Sequence, residues 1–129
     1  MLTNKQLTHE IIGAAIEVHK VLGPGLLESA YEICLSHELT LRGLRFVRQK
    51  PIPVVYKGVK LEAGYRIDLF VEGKIVVELK AIDRLNPIHG ATLMTYLRLS
   101  ETKIGLLINF NVPVLTDGVR RLVWHYNET

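Results

Sequence analysis

The sequence predicts a mixed α/β (α+β) fold, with helices packed on a sheet. Three observations predict it. Residues 4–41 carry two apolar stripes at helical spacing. Between Leu44 and Ala81 the period changes to that of strands, broken by turn signals. After Asn86 come one more helical pattern and two more strand-like runs. Two helices, a run of strands, a helix and further strands make the element order of a layered sandwich.

The first helix is expected over Asn4–Leu22. Thr3 and Gln6 fit a capping box, and Leu7, Ile11, Ala14, Ala15, Val18 and Leu22 fall on one face. Gly23 and Pro24 stop it. A second helix is expected over Leu26–Leu41, with Glu28, Tyr31, Leu35 and Leu39 in line and Gly43 as its stop. Glu28 then has two readings: a first-turn carboxylate favoured by the helix dipole, or an acid aimed into a site. Leu44–Tyr56 reads as extended, confined by Pro51 and Pro53 to an edge or irregular strand. Lys57-Gly58 is a turn and Val59–Glu62 a short strand. Tyr65–Phe70 and Ile75–Ala81 form a hairpin. Asn86-Pro87 opens a third helix that runs to Leu99. Lys103–Phe110 is a buried strand, and Val119–Tyr126 adds a last one carrying Trp124.

The chain has 129 residues, 48% hydrophobic and 22% charged, as expected of one domain (1–129) with a real core. No apolar run reaches the ~18 residues of a membrane span. The amino-terminal MLTNKQLTHE lacks the apolar centre of a signal peptide, so no membrane and a cytoplasmic location are expected. Cys34 is the sole cysteine, which excludes an internal disulfide, and it reads as a small core residue. The net charge of +3 permits nucleic-acid binding without demanding it.

The chemistry concentrates in YRIDLFVEGKIVVELK, residues 65–80, where Asp68, Glu78 and Lys80 interrupt runs that otherwise read as buried strand. Charges inside a core are costly unless paired or bound to a metal. Glu78 and Lys80 are two apart and share a face, with Val77 and Leu79 on the other. The turn decides whether Asp68 joins them. A two-residue loop at Glu72-Gly73 places it on the wrong face. A three-residue loop, Val71-Glu72-Gly73 with Gly73 left-handed, sets Asp68 opposite Val76 and diagonal to Glu78. Two carboxylates at that range can share a hard cation such as Mg²⁺. Such an ion polarises a phosphoryl oxygen and acidifies bound water, and a neighbouring lysine can stabilise developing charge. An isolated E-x-K in a strand reads instead as an ordinary solvated face. Arg66 shares the predicted face of Asp68 and could bind phosphate. Arg42, Arg45, Arg48, Lys50, Lys57 and Lys60 are either a solvated rim or a phosphate-tracking groove.

GPGLLESAY (Gly23–Tyr31), with Gly25, Glu28 and Tyr31, resembles the pattern of the GxxExxY family. EVHK, YRIDL, VVELK, HGATLMTYL and GLLINF follow the same family in the same order over nearly the whole chain. That family is grouped with the PD-(D/E)XK nucleases. The resemblance implies a restriction-endonuclease-like core: a central mixed β-sheet flanked by helices, with the catalytic face on a three-stranded meander. It implies Asp68 and Glu78 as ligands of Mg²⁺ or Mn²⁺, Lys80 as the catalytic lysine, and Glu28 as an additional acid for metal or water. Tyr31 would line the site or orient Glu28. In relatives the third helix carries a glutamine followed four positions later by tyrosine. Here those positions hold Thr92 and Tyr96, and Thr92 cannot span the distance of an amide. His89, Thr92 and Tyr96 share a helical face, and His89 either contacts phosphate or is simply half-buried. His19, ahead of the glycine-proline turn, is favoured electrostatically at a helix C-terminus and has no assigned chemistry.

Two functions follow from this reading. One is a metal-dependent nuclease acting on DNA or RNA. The other is a nuclease-fold module, catalytically weak or inactive, that binds nucleic acid or a protein partner. Related nucleases often dimerise to cut both strands, which leaves a homodimer as a further expectation.

Overall fold

A computed structural model describes residues 1–62 and 64–125. In chain order the elements are α1 (Asn4–Leu22), α2 (Glu28–Leu41), β1 (Phe46–Pro51), β2 (Val54–Tyr56), β3 (Val59–Leu61), β4 (Arg66–Val71), β5 (Ile75–Lys80), α3 (Pro87–Leu99), β6 (Ile104–Asn109), a 3₁₀ turn (Leu115–Gly118) and β7 (Val119–Val123).

Helix α1 begins where its cap chemistry places it. The Gln6 N–H donates to Thr3 Oγ1 at 3.1 Å, and the Thr3 N–H donates back to Gln6 Oε1 at 2.9 Å. Gly23 ends it at φ +71°, a conformation that favours glycine, with its N–H bonded to the His19 carbonyl at 2.8 Å. Helix α2 starts at Glu28, two residues later than its apolar pattern suggests. Leu26 and Leu27 are exposed, and the Leu26 N–H is held by the Tyr31 hydroxyl at 3.1 Å rather than by a helical turn.

The main sheet has the order β1-β4-β5-β6-β7. β1, β4 and β5 form an antiparallel meander, β5 and β6 run parallel, and β7 closes the sheet antiparallel to β6. A parallel neighbour needs a crossover, and α3 supplies it. The stretch Leu44–Tyr56, expected as one extended run, is two strands. β1 stops at Pro51 on the sheet edge, and β2 pairs only with β3 in a separate hairpin. The last strand ends at Val123, not Tyr126. Trp124 follows it, its N–H donating to the Lys103 carbonyl at 2.8 Å, and Tyr126 lies outside the described residues.

Two apolar cores sandwich the sheet. Leu7, Ile11, Tyr31, Leu35, Val77, Leu79 and Phe110 fill the one under α1 and α2. Val76, Leu93, Leu97 and Leu107 fill the one under α3. β5 and β6 are covered on both faces, which explains their near-continuous apolar sequence. Truncating a fully buried leucine such as Leu79 or Leu97 to alanine would cost ~2–5 kcal/mol. Among the described residues no helix is long and apolar enough to cross a membrane.

Candidate active site

The turn between β4 and β5 sets the site. It has three residues, but they are Glu72-Gly73-Lys74 rather than Val71-Glu72-Gly73. Val71 is fully buried and stays paired with Ile75, which moves the loop by one. Glu72 takes φ +53° and Gly73 φ +64°, with the Lys74 N–H closing on the Val71 carbonyl at 3.0 Å. Glu72 is held in that conformation from outside the turn. Its N–H donates to the Arg45 carbonyl at 2.8 Å, and its carboxylate accepts from the Arg45 N–H.

The register Leu69–Val77, Phe70–Val76, Val71–Ile75 therefore brings Asp68 level with Glu78, not diagonal to it across from Val76. Backbone pairing stops at Leu69–Val77, and the two carboxylates take over. The Asp68 N–H donates to Glu78 Oε1 at 3.1 Å, and the Leu79 N–H donates to Asp68 Oδ2 at 2.8 Å. Each acid is thus fixed by the backbone of the opposite strand, a charge-assisted arrangement. Glu78 is 8% exposed, while Asp68 and Lys80 are half-buried. Glu78 and Lys80 share a cleft of about 60 Å³ with His89, Thr92, Leu93, Tyr96 and Leu107. A larger hollow, about 850 Å³ along the first turns of α1, contains none of the candidate residues.

The electrostatics follow from that crowding. Burial pushes the Glu78 carboxyl up to about 8; the Asp68 charge adds to this, against partial relief from the Asp68 N–H and from Lys80. Burial also raises Asp68, offset in part by its bond from Leu79. Glu28 is raised by partial desolvation and by the Asp68 charge, and is lowered by Lys80. Tyr96 is raised by burial and then by the charge of Glu78. The Asp68 charge acts on Glu28, Glu78 and Tyr96 alike.

Glu28 stands at the first helical position of α2, exposed, at the positive end of the helix, with no hydrogen bond to a described residue. Tyr31 does not line the cleft. It is fully buried, its ring stacks on Phe110 at 4.4 Å, and its hydroxyl donates to the Gly23 carbonyl at 2.7 Å. With the Leu26 N–H donating to the Tyr31 hydroxyl oxygen, Tyr31 clasps the loop that launches Glu28. Gly25 within that loop sits at φ +94°. His19 lies apart from the acids, its Nε2 2.8 Å from the Val112 carbonyl. Among the described residues Arg66 pairs with no carboxylate, and it donates to the Gln49 carbonyl at 3.2 Å. His89 is half-buried and accepts the Asn86 N–H on Nδ1 at 2.9 Å, capping α3 while it lines the cleft. Arg42, Arg45 and Arg48 are committed to ion pairs with Glu10 and Glu38, Glu72, and Glu32 respectively.

Three further residues support the site and are not evident from sequence. Glu32 is 7% exposed, pairs with Arg48 at 2.9 Å and accepts from Gln49 Nε2 at 2.7 Å. Gln49 in turn reaches Asp68 Oδ1 at 3.3 Å. Gln49 holds φ +51°, and no local sequence signal announces it, whereas Glu32 stands one turn after Glu28. Asn109 is buried beside Lys80 in register. It binds Ile82 through both amide atoms, at 3.1 Å and 3.0 Å, fixing the chain that leaves β5.

Among the described residues no three Asp, Glu, His or Cys side chains are already gathered as a metal cage. The pair Asp68–Glu78 is nonetheless an all-oxygen donor set of the kind a hard cation takes, and Mg²⁺ commonly uses one or two protein carboxylates. Burial first and the Asp68 charge second disfavour the ionised form of Glu78, and a bound cation would favour it.

No curated protein and no solved structure matches the chain. A family model described as the PD-(D/E)XK nuclease superfamily matches residues 5–122, from the first turn of α1 into β7. That span takes in the meander with Asp68 and the Glu78-Leu79-Lys80 tripeptide, and the chain belongs to the PD-(D/E)XK nuclease superfamily.

Proposed function

We propose that this protein hydrolyses phosphodiester bonds in nucleic acid with the help of a divalent metal ion. One observation carries the reading: Asp68 and Glu78 are locked side by side by each other's strand, with Lys80 on the face of Glu78. Asp68 and Glu78 would hold Mg²⁺ or Mn²⁺, which when bound polarises a phosphoryl oxygen and lowers the pKa of water. The Lys80 ammonium stabilises charge that develops on the phosphoryl oxygens and orients the attacking water. Glu28, on the rim at the helix start, receives a proton from that water or holds it in line. Glu32 and Gln49 keep Asp68 Oδ1 in place from behind. Asn109 anchors the backbone after Lys80, so that the ammonium faces the cleft.

A second reading, a nucleic-acid-binding module with little turnover, draws support from Thr92. Its short hydroxyl stands in the cleft where relatives place an amide. The test is calorimetric titration with Mn²⁺ and Mg²⁺, then incubation with single-stranded, duplex and branched DNA and with RNA. The hydrolase reading expects metal-dependent cutting that disappears in both Asp68→Ala and Lys80→Ala. Binding of nucleic acid without cutting of any substrate would select the second reading. Absence of both metal and nucleic-acid binding would remove both.

A further inference from the structure

We infer that the β2–β3 hairpin, with Tyr65 at its base, is a docking platform for single-stranded nucleic acid running out of the candidate active site. The inference rests on the hydrolase reading above. The hairpin is a two-stranded sheet of its own, with partners Val54–Leu61, Val55–Lys60 and Tyr56–Val59. The first and last pairs share a face. Val54 packs half-buried against the core under α3, and the rest of that face is open: Tyr56 is 62%, Val59 58% and Leu61 42% exposed. Tyr65 follows at 48%. An apolar face on an isolated hairpin gains nothing for folding if left bare.

The charge around the hairpin selects its occupant. Arg42, Arg45 and Arg48 are spent on carboxylates, whereas Arg66, beside Tyr65, donates to the Gln49 carbonyl. Lys50, Lys57 and Lys60 form no ion pair with a described residue. Two of these lysines lie over rings instead, Lys50 Nζ 5.4 Å from the Phe70 centroid and Lys57 Nζ 5.4 Å from that of Tyr56. Glu62 is the one acid in the segment 54–62. Lys60 projects on the other face of the hairpin with Val55, while Lys50 and Lys57, set beside aromatic rings, match an anionic backbone whose bases are free to stack. A duplex offers the phosphates but hides the base faces, and an apolar protein segment would leave the lysines unanswered.

Continuity with the site sets the direction. The Ile52 N–H donates to the Tyr65 carbonyl at 2.9 Å, fixing the base of the hairpin. Ile52 lies in the core under α3 against which Tyr96 packs, and Tyr96 lines the cleft with Glu78 and Lys80. A strand with its scissile phosphate in the cleft thus meets Tyr96, Tyr65 and Tyr56 in turn.

The test is fluorescence anisotropy in EDTA, so that nothing is cut. The probes are labelled oligothymidylate and oligouridylate of ~20 nucleotides and a DNA duplex of the same length. Both single strands should bind more tightly than the duplex, and the DNA and RNA arms separate the two sugar chemistries. Tyr56→Ala and Tyr65→Ala should each weaken single-strand binding roughly tenfold and leave duplex binding unchanged. The double variant Lys50→Ala/Lys57→Ala should flatten the dependence of log K on log salt by about 1. Unchanged urea midpoints would show that these substitutions leave the fold intact. Equal affinity for duplex and single strand, or tyrosine variants that bind like wild type, would overturn the platform. The hydrolase reading would then stand or fall on its own cleavage assay, whereas failure of every probe together with absence of cleavage would overturn both.

Discussion

Replacing Glu78 by glutamine should stabilise the metal-free protein, and do so more as the pH rises. Glu78 is 8% exposed and its carboxyl is pushed from 4.5 to about 8, by burial first and the Asp68 charge second. The sign follows from which state holds the proton. Below pH 4.5 both the folded and the unfolded chain carry a protonated Glu78, and nothing is lost. Between 4.5 and about 8 the unfolded chain ionises while the folded one resists, so stability falls with rising pH, and above about 8 the loss is constant. At 1.36 kcal/mol for each pH unit of that window, the full loss is at most about 5 kcal/mol. About 3 kcal/mol of it falls between pH ~5.5 and pH ~9.

The assay is urea unfolding of wild type and Glu78→Gln in EDTA at those two pH values. Glutamine keeps an acceptor for the Asp68 N–H and removes the charge. With a urea slope of ~1–3 kcal/mol/M, the gap between the two midpoints should widen by roughly 1–3 M from the lower to the higher pH. Other raised carboxyls, Asp68 and Glu28, have the same sign and are present in both proteins. A gap that stays constant with pH would refute the claim that Glu78 is held as a desolvated acid beside Asp68. Added Mg²⁺ should close the gap at the higher pH by stabilising wild type alone, since the ion binds only where the carboxylate survives.

Tyr31→Phe keeps the stack on Phe110 but orphans the Leu26 N–H and the Gly23 carbonyl; it should cost ~1–3 kcal/mol in urea unfolding and reduce cleavage, because Glu28 loses its anchored launch point. Arg48→Met leaves Glu32 buried without its cation. Because Arg48 is itself 46% exposed, the cost read from the urea midpoint should be ~1–3 kcal/mol rather than that of a fully buried pair. Thr92→Gln places an amide in the cleft at an exposed helical position, so stability should move by less than ~0.5 kcal/mol while the cleavage rate rises.

Local chemistry was legible and long-range chemistry was not. α1 and α3 are read to the residue because Thr3, Gln6, Asn86 and Pro87 announce helix starts with side chains a few positions away. The face shared by Glu78 and Lys80 follows from strand alternation alone. The β4–β5 loop is misread by one residue because its register depends on the burial of Val71 and on Glu72 being held by Arg45, 27 residues away. Gln49 escapes for the same reason. Its left-handed backbone is imposed where β1 meets Asp68, and glutamine gives no warning of it. The arginines and lysines between Arg42 and Lys60 look equivalent in sequence, and only the positions of Glu10, Glu32, Glu38 and Glu72 separate the paired ones from the unpaired.

Tyr31 shows what spacing alone conceals, because its role depends on which way side chains lean along a helix. Side chains in a helix tilt toward its N-terminus, so a residue three positions after the first helical residue covers the preceding loop and not the surface ahead. Tyr31 accordingly reaches back to Gly23 and Leu26, while Glu28 stands exposed at the helix start within range of the Asp68 and Lys80 charges, and Glu32, one turn on, backs Asp68 through Gln49. Three side chains within two turns of α2 therefore bind the core, the cleft rim and the rear of the site to one rigid body. The glycines ahead of them, at φ +71° and +94°, make the turn that allows it. On this argument the tyrosine of the motif acts through placement. Its removal should shift the contribution of Glu28 while the backbone bonds that lock Asp68 and Glu78 remain, so Tyr31→Phe should keep most of the pH dependence of unfolding, which is dominated by the burial of Glu78, while activity falls.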